Sequence, residues 1–152
     1  VEFRYISHWS KGGGENLRVA RDKEGYLLVQ VEYRLGCYQK QDWAVLDTGF
    51  SGIFCLPSNM LNMLRAKVGG PDGEELVELA NGSRVGVPYY IGSVKVAGAD
   101  QETFGHIYLL GDKPIVGLKA LQGLIIMVTA EPKIFPLMQL LTLEMLLKTL
   151  DP

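Results

Sequence analysis

One aspartate in this chain is set up differently from the others. Asp47 follows the uninterrupted apolar run Trp43-Ala44-Val45-Leu46 and precedes Thr48 and Gly49. Such a run reads as a buried strand, so it delivers a carboxylate to a rigid strand end in a dry environment. The Thr48 hydroxyl can lock the turn that follows. Gly49 removes the side chain with which a second loop of the same kind would collide. Two carboxylates brought about 3 Å apart cannot both ionise and share one proton. One member then takes a proton from water while the other donates to a carbonyl oxygen, a route to peptide hydrolysis without metal, serine or cysteine. Taken alone, Asp-Thr-Gly is also the composition of an ordinary turn between strands.

Other residue types offer less. His8 and His106 lie far apart, and with only Cys37 and Cys55 beside them no metal site is expected. Cys55 reads as a small buried filler on the strand after the Asp47 loop. Ser51 has no histidine placed by sequence to activate it. Trp43 and Tyr89–Tyr90 read as core and hairpin residues and not as stacking platforms. The glycine run Lys11-Gly12-Gly13-Gly14 lacks the trailing Gly-Lys-Ser/Thr of a phosphate loop.

The elements that must position Asp47 are mostly strands. Phe3–Trp9 reads as one. Leu17–Ala20 and Tyr26–Leu35 form a hairpin about Asp22–Gly25, with Val29, Val31, Tyr33 and Leu35 on one face and Gln30, Glu32 and Arg34 on the other. Gly36–Gln41 is expected to turn the chain into the strand Trp43–Leu46. Gly52–Leu56 is a further strand, and Pro57-Ser58-Asn59 opens a short helix to about Arg65, with Met60, Leu61 and Leu64 inward. Asn81-Gly82 joins Glu74–Leu79 to Arg84–Ile91 as a hairpin, and Pro88 implies a free edge. Val94–Val96 and Phe104–Leu110 pair next. Pro114 introduces Ile115-Val116-Gly117, a brief helix from Leu118 and a buried strand at Leu124–Val128. Pro136–Leu150 reads as a helix whose Leu140, Leu143, Leu147 and Leu150 follow three-four spacing. So apolar an element needs cover from its own domain or another subunit.

The 152 residues suit one domain, 47% hydrophobic and 21% charged, as in a folded protein. A net charge of -2 offers no electrostatic attraction to nucleic acid or an anionic membrane. The stretch Ile115–Val128, interrupted by Lys119 and Gln122, falls short of the about 20 residues of a membrane span. Glu2, Arg4 and His8 replace the apolar run of a secretory leader. With two unpaired thiols, a cytoplasmic location is expected.

Three segments in order carry a resemblance: Ala44-Val45-Leu46-Asp47-Thr48-Gly49-Phe50-Ser51-Gly52 with Leu56-Pro57, then Val77-Glu78-Leu79-Ala80-Asn81-Gly82-Ser83, then Ile115-Val116-Gly117-Leu118 with Leu121. Together they resemble the retropepsin-like aspartic proteases, particularly the small stand-alone kind of bacteria and archaea. The likeness covers about residues 17–128, leaving 1–16 and a tail at 129–152 outside it.

The resemblance implies an all-β, closed acid-protease barrel with one or two short helices, to which the sequence adds the apolar C-terminal helix. It implies that Asp47 is the catalytic carboxylate, that Thr48 ties two active-site loops together and that Gly49 lines the pair. Ala80, Asn81 and Gly82 would form the tip of a flap closing over bound peptide. Ile115 and Val116 would pack beneath the loop, with Gly117 permitting close approach. Asp22, Asp42, Asp72, Asp100, Asp112 and Asp151 are not followed by Thr-Gly or Ser-Gly. One chain thus holds half a pair, and a homodimer would complete it. The implied activity is endopeptidase cleavage of extended peptides with apolar side chains near the cut, favoured by mild acid, with no cofactor. Phe50 and the single flap-tip glycine depart from the viral members, where the corresponding residues are small or glycine-rich. The alternative is a catalytically silent binding or assembly module on the same barrel.

Overall fold

The computed structural model describes residues 4–9, 17–97, 99–127 and 133–136. Its strands are β1 (Arg4–Trp9), β2 (Leu17–Arg21), β3 (Leu27–Leu35), β4 (Tyr38–Leu46), β5 (Phe54–Leu56), β6 (Gly73–Glu78), β7 (Arg84–Val96), β8 (Thr103–Leu109), β9 (Ile115–Val116), β10 (Leu124–Met127) and β11 (Lys133–Pro136). One α-helix, α1 (Leu61–Val68), follows a 3-10 turn at Ser58–Met60, and a second 3-10 turn occupies Leu118–Leu121.

Nine strands form one sheet in the order β1-β2-β3-β4-β9-β5-β8-β7-β6. Pairing of β3 with β7, Val31 opposite Val96 and Tyr33 opposite Val94, closes six of them into a barrel. Closure hides the strand edges of those six. The alternation read in β3 is realised, with Val29, Val31, Tyr33 and Leu35 buried inside the barrel. Phe54, Leu56, Val94, Val96, Ile107 and Val116 meet them there, and α1 plugs one side with Leu64. The Phe54 ring packs 5.2 Å from that of Tyr33. Each large apolar side chain buried this way contributes about 1.5–3 kcal/mol.

Three expectations need correction. Strand β4 begins at Tyr38, so the turn after β3 is only Gly36-Cys37 instead of Gly36–Gln41. Gln39, Lys40 and Gln41 are exposed, so no alternation marks them as strand. Secondly, β7 is one strand of 13 residues, not two. At its middle Gly92 lies flat on β3, where a Cβ would collide with the Arg34 carbonyl oxygen. Pro88 does have its free side, lying one residue beyond the last β7–β8 rung, Tyr89–Tyr108. Thirdly, β11 pairs antiparallel with β10 and includes Pro136, where a helix was expected to start. The remainder of that expected helix, 137–150, lies outside the described residues.

Candidate active site

Strand β9 is inserted between β4 and β5, parallel to the first and antiparallel to the second. That insertion builds the Asp47 loop. The Pro114 carbonyl accepts from Val45 N–H at 2.9 Å, and the Val116 carbonyl accepts from Asp47 N–H at 3.0 Å. On the far side of the loop Gly117 N–H donates to Ile53 O at 2.9 Å, Leu118 N–H to Phe50 O at 2.8 Å and Lys119 N–H to Gly52 O at 3.2 Å. The segment after β9 is thus laced to the loop backbone along its length. Gly117 allows this: a Cβ there would land on Gly52 O and lie 2.8 Å from Phe50 O. Within the loop Phe50 N–H donates to Asp47 O at 3.2 Å, and Gly49 N–H donates to the Asp47 Oδ1 at 2.9 Å. One carboxylate oxygen is engaged by the turn itself.

Asp47, Thr48 and Gly49 are all exposed in the single chain. The dry environment expected for Asp47 therefore belongs to the strand behind it, where Ala44 is buried, and not to the carboxylate, which projects beyond the barrel end. Val116 and Gly117 lie against the loop backbone, and Ile115 pairs with Val45 and Cys55 in the flanking strands. Val116 is buried beneath the loop, whereas Ile115 faces outward, in line with Val45 on β4 and Cys55 on β5. Cys55 is buried as expected; burial, helped by the Asp47 charge, pushes its thiol up to about 12. At pH 7 it is a protonated filler and not a nucleophile.

Strands β6 and β7 extend from the barrel as a hairpin. Its turn is closed by Leu79 N–H donating to Ser83 O at 2.8 Å and Gly82 N–H to Leu79 O at 2.9 Å. The Asn81 Oδ1 accepts from Ser83 N–H and Oγ at 3.0 and 2.6 Å. Gly82 has φ +81°, a conformation that suits glycine. Ala80, Asn81 and Gly82 are exposed at this tip, and among the described residues no hydrogen bond joins them to the Asp47 loop. The structure brings the loop and β9 residues together but leaves the tip apart.

Between loop and hairpin runs an aromatic row that the sequence motifs do not mark. The Phe50 ring meets Tyr108 edge-on at 6.2 Å, and Tyr89 stacks on His106 at 3.9 Å with planes 11° apart. The Glu75 carboxylate on β6 accepts from the Tyr108 hydroxyl at 2.8 Å and pairs with His106 Nδ1 at 2.9 Å. Those bonds, His106 first, hold the Glu75 carboxyl below its ordinary value. Burial, reinforced by Glu75, pushes the Tyr108 phenol up to about 12. The two-residue spacing of His106 and Tyr108 placed them on one face of a strand; Glu75 required the β6–β7–β8 register.

A cavity of about 490 Å³ opens on the outer side of β4, walled by Leu28, Trp43, Val45, Met60 and Pro114 and bordered by charged groups that include Asp42 and Lys113. Among the described residues no helix is long and apolar enough to cross a membrane, and no cluster of three or more His, Cys, Asp or Glu could hold a metal. No protein-family model, no curated protein and no solved structure matches this chain.

Proposed function

We propose that this chain is a retropepsin-like aspartic endopeptidase that acts as a homodimer, each subunit supplying one Asp47. The observation that carries the reading is the Asp47 loop itself. A carboxylate stands exposed at the end of a barrel strand, oriented by Gly49 N–H and fixed from below by Val116. A turn residue has no need of that backing. The pairing of β9 with Val45 and Leu46, just before the loop, supports the reading.

In the dimer the two loops face each other across a twofold axis, the Thr48 side chains tie them, and the paired carboxylates share one proton. Desolvation by the partner then supplies the dry setting that one chain lacks. One Asp47 takes a proton from water as the water oxygen bonds to the carbonyl carbon, and the other gives the shared proton to the carbonyl oxygen; on collapse the C–N bond breaks, the first Asp47 protonates the departing amine and a hydroxyl proton returns to the second. The β6–β7 hairpin serves as the flap, and an extended peptide lies between it and the barrel. The reading includes a cytoplasmic location and no cofactor.

Cleavage of an unfolded protein from pH 3 to 7 tests this, with wild type and Asp47→Asn prepared alike and their mass in solution measured. Acid-favoured cleavage by a dimer, lost in the variant and blocked by a statine-type inhibitor, is the expected result. A well-folded dimer that cleaves nothing under any condition would replace the protease with a binding module.

A further inference from the structure

Glu75 lies on the outermost strand of the sheet, yet its carboxylate crosses β7 to reach two side chains of the barrel strand β8, His106 and Tyr108. On the barrel side of this tie the hairpin is well anchored. Asp72 N–H donates to Tyr89 O at 2.9 Å, Ile91 N–H donates to the Asp72 carboxylate at 2.6 Å, and the Tyr90 hydroxyl donates to Gly69 O at 2.8 Å. Beyond it, residues 76–86 are mostly exposed, Leu76 to 71%, and the charged pair there, Arg84–Glu78 at 3.9 Å, stays within the hairpin. Glu75 is therefore the outermost side-chain tie between hairpin and barrel among the described residues.

We propose that Glu75, His106 and Tyr108 form a clasp that fixes where the hairpin hinges, and that acid releases it. Glu75 is then a positioning residue for the closure of the hairpin over Asp47. This rests on the reading of the hairpin as a protease flap, although the clasp itself is a mechanical statement about the barrel.

The groups around Glu75 set the sign. His106 and Tyr108 face it from β8, Tyr89 flanks them from β7, and Lys119 adds a weaker attraction from the 3-10 turn. On its own strand Glu74 turns to the opposite face, over Gly86. These partners favour the charged carboxylate and hold its titration below the ordinary range. The clasp therefore contributes fully above the ordinary carboxylate range and is lost as pH falls through the lowered value. Mild acid thus leaves the clasp intact, and stronger acid opens it.

Amide hydrogen exchange of residues 76–86, expressed as protection relative to intrinsic rates from pH 7 to 3, tests the clasp in the full chain. The variants are Glu75→Gln, close in shape and uncharged, and Tyr108→Phe. Expected at pH 7 is about a threefold loss of protection in Glu75→Gln, two exposed charge-assisted bonds being removed. Wild-type protection should fall toward the variant's with acid, while Glu75→Gln stays flat. Tyr108→Phe should lose part of the protection and keep the acid response, because the Glu75–His106 pair survives. Wild-type protection in Glu75→Gln, or an acid response unchanged by that variant, would overturn the clasp. Exchange needs no turnover, so the expected pattern in a protein that cleaves nothing would sink the protease reading and leave the clasp standing.

Discussion

The Asp47 loop and the β6–β7 tip are both exposed turns, but they are held by different means. The loop is stitched by backbone bonds to Pro114, Val116, Gly117, Leu118 and Lys119, partners remote in sequence. Among the described residues the tip is closed by bonds among Leu79, Asn81, Gly82 and Ser83. Long-range backbone lacing makes a turn as stable as the barrel that supplies its partners, whereas a locally closed turn opens independently. A catalytic carboxylate requires the first condition and a closing flap the second. The contrast is what the proposed protease chemistry would require of this barrel.

The largest expected effect separates chemistry from scaffold. Asp47→Asn should lower peptide cleavage by about a thousandfold while leaving the thermal midpoint nearly unchanged, because the exposed carboxylate supports little of the fold. A large fall in midpoint would make Asp47 structural. The next test probes the rigid side with no substitution at all. At pH 8 exposed Cys37 should react with a thiol reagent at least about a hundredfold faster than buried, protonated Cys55. Equal rates would mean that the barrel beneath the loop opens freely. Gly117→Ala, which forces a methyl against Gly52 O, should cost about 2–3 kcal/mol in a denaturant titration. Cleavage should fall with it, since loop and barrel yield together. Gly82→Ala carries the smallest expected effect, about 1 kcal/mol for a side chain at positive φ, confined to the hairpin. It should raise KM more than it lowers kcat and barely shift global unfolding; a shift as large as that of Gly117→Ala would erase the contrast between the two turns.

The part of this molecule governed by local pattern was readable in advance. The alternation Val29-Val31-Tyr33-Leu35, the Asn81-Gly82 turn and the inward face of α1 follow from periodicity and turn chemistry, and the structure places them accordingly. The Asp47 loop was readable because an apolar strand running into Asp-Thr-Gly is local information. Exposed strand hid behind its composition, as Gln39–Gln41 show, since two wetted faces leave no alternation to detect. The unbroken β7 was hidden because Gly92 looks like a breaker and serves instead as a contact surface. Glu75, His106 and Tyr108 meet only through the register of three strands, which no window of sequence contains. The exposure of Asp47 follows from its place beyond the end of β4, a matter of strand length that hydrophobicity does not report.

The position of β9 in the sheet has a consequence for the order of folding. The hairpin β3–β4 is local and forms early, but the strand that backs Asp47 arrives nearly half the chain later, Val45 pairing with Ile115. Such distant pairing must await closure of a long loop and is slow. During synthesis the β3–β4 hairpin leaves the ribosome with the Asp47 loop unbacked, and the loop backbone acquires its long-range partners only after Gly117 has emerged. Connectivity thus orders assembly: the nascent chain has no backed Asp47 loop until β9, the last barrel strand in sequence, has emerged.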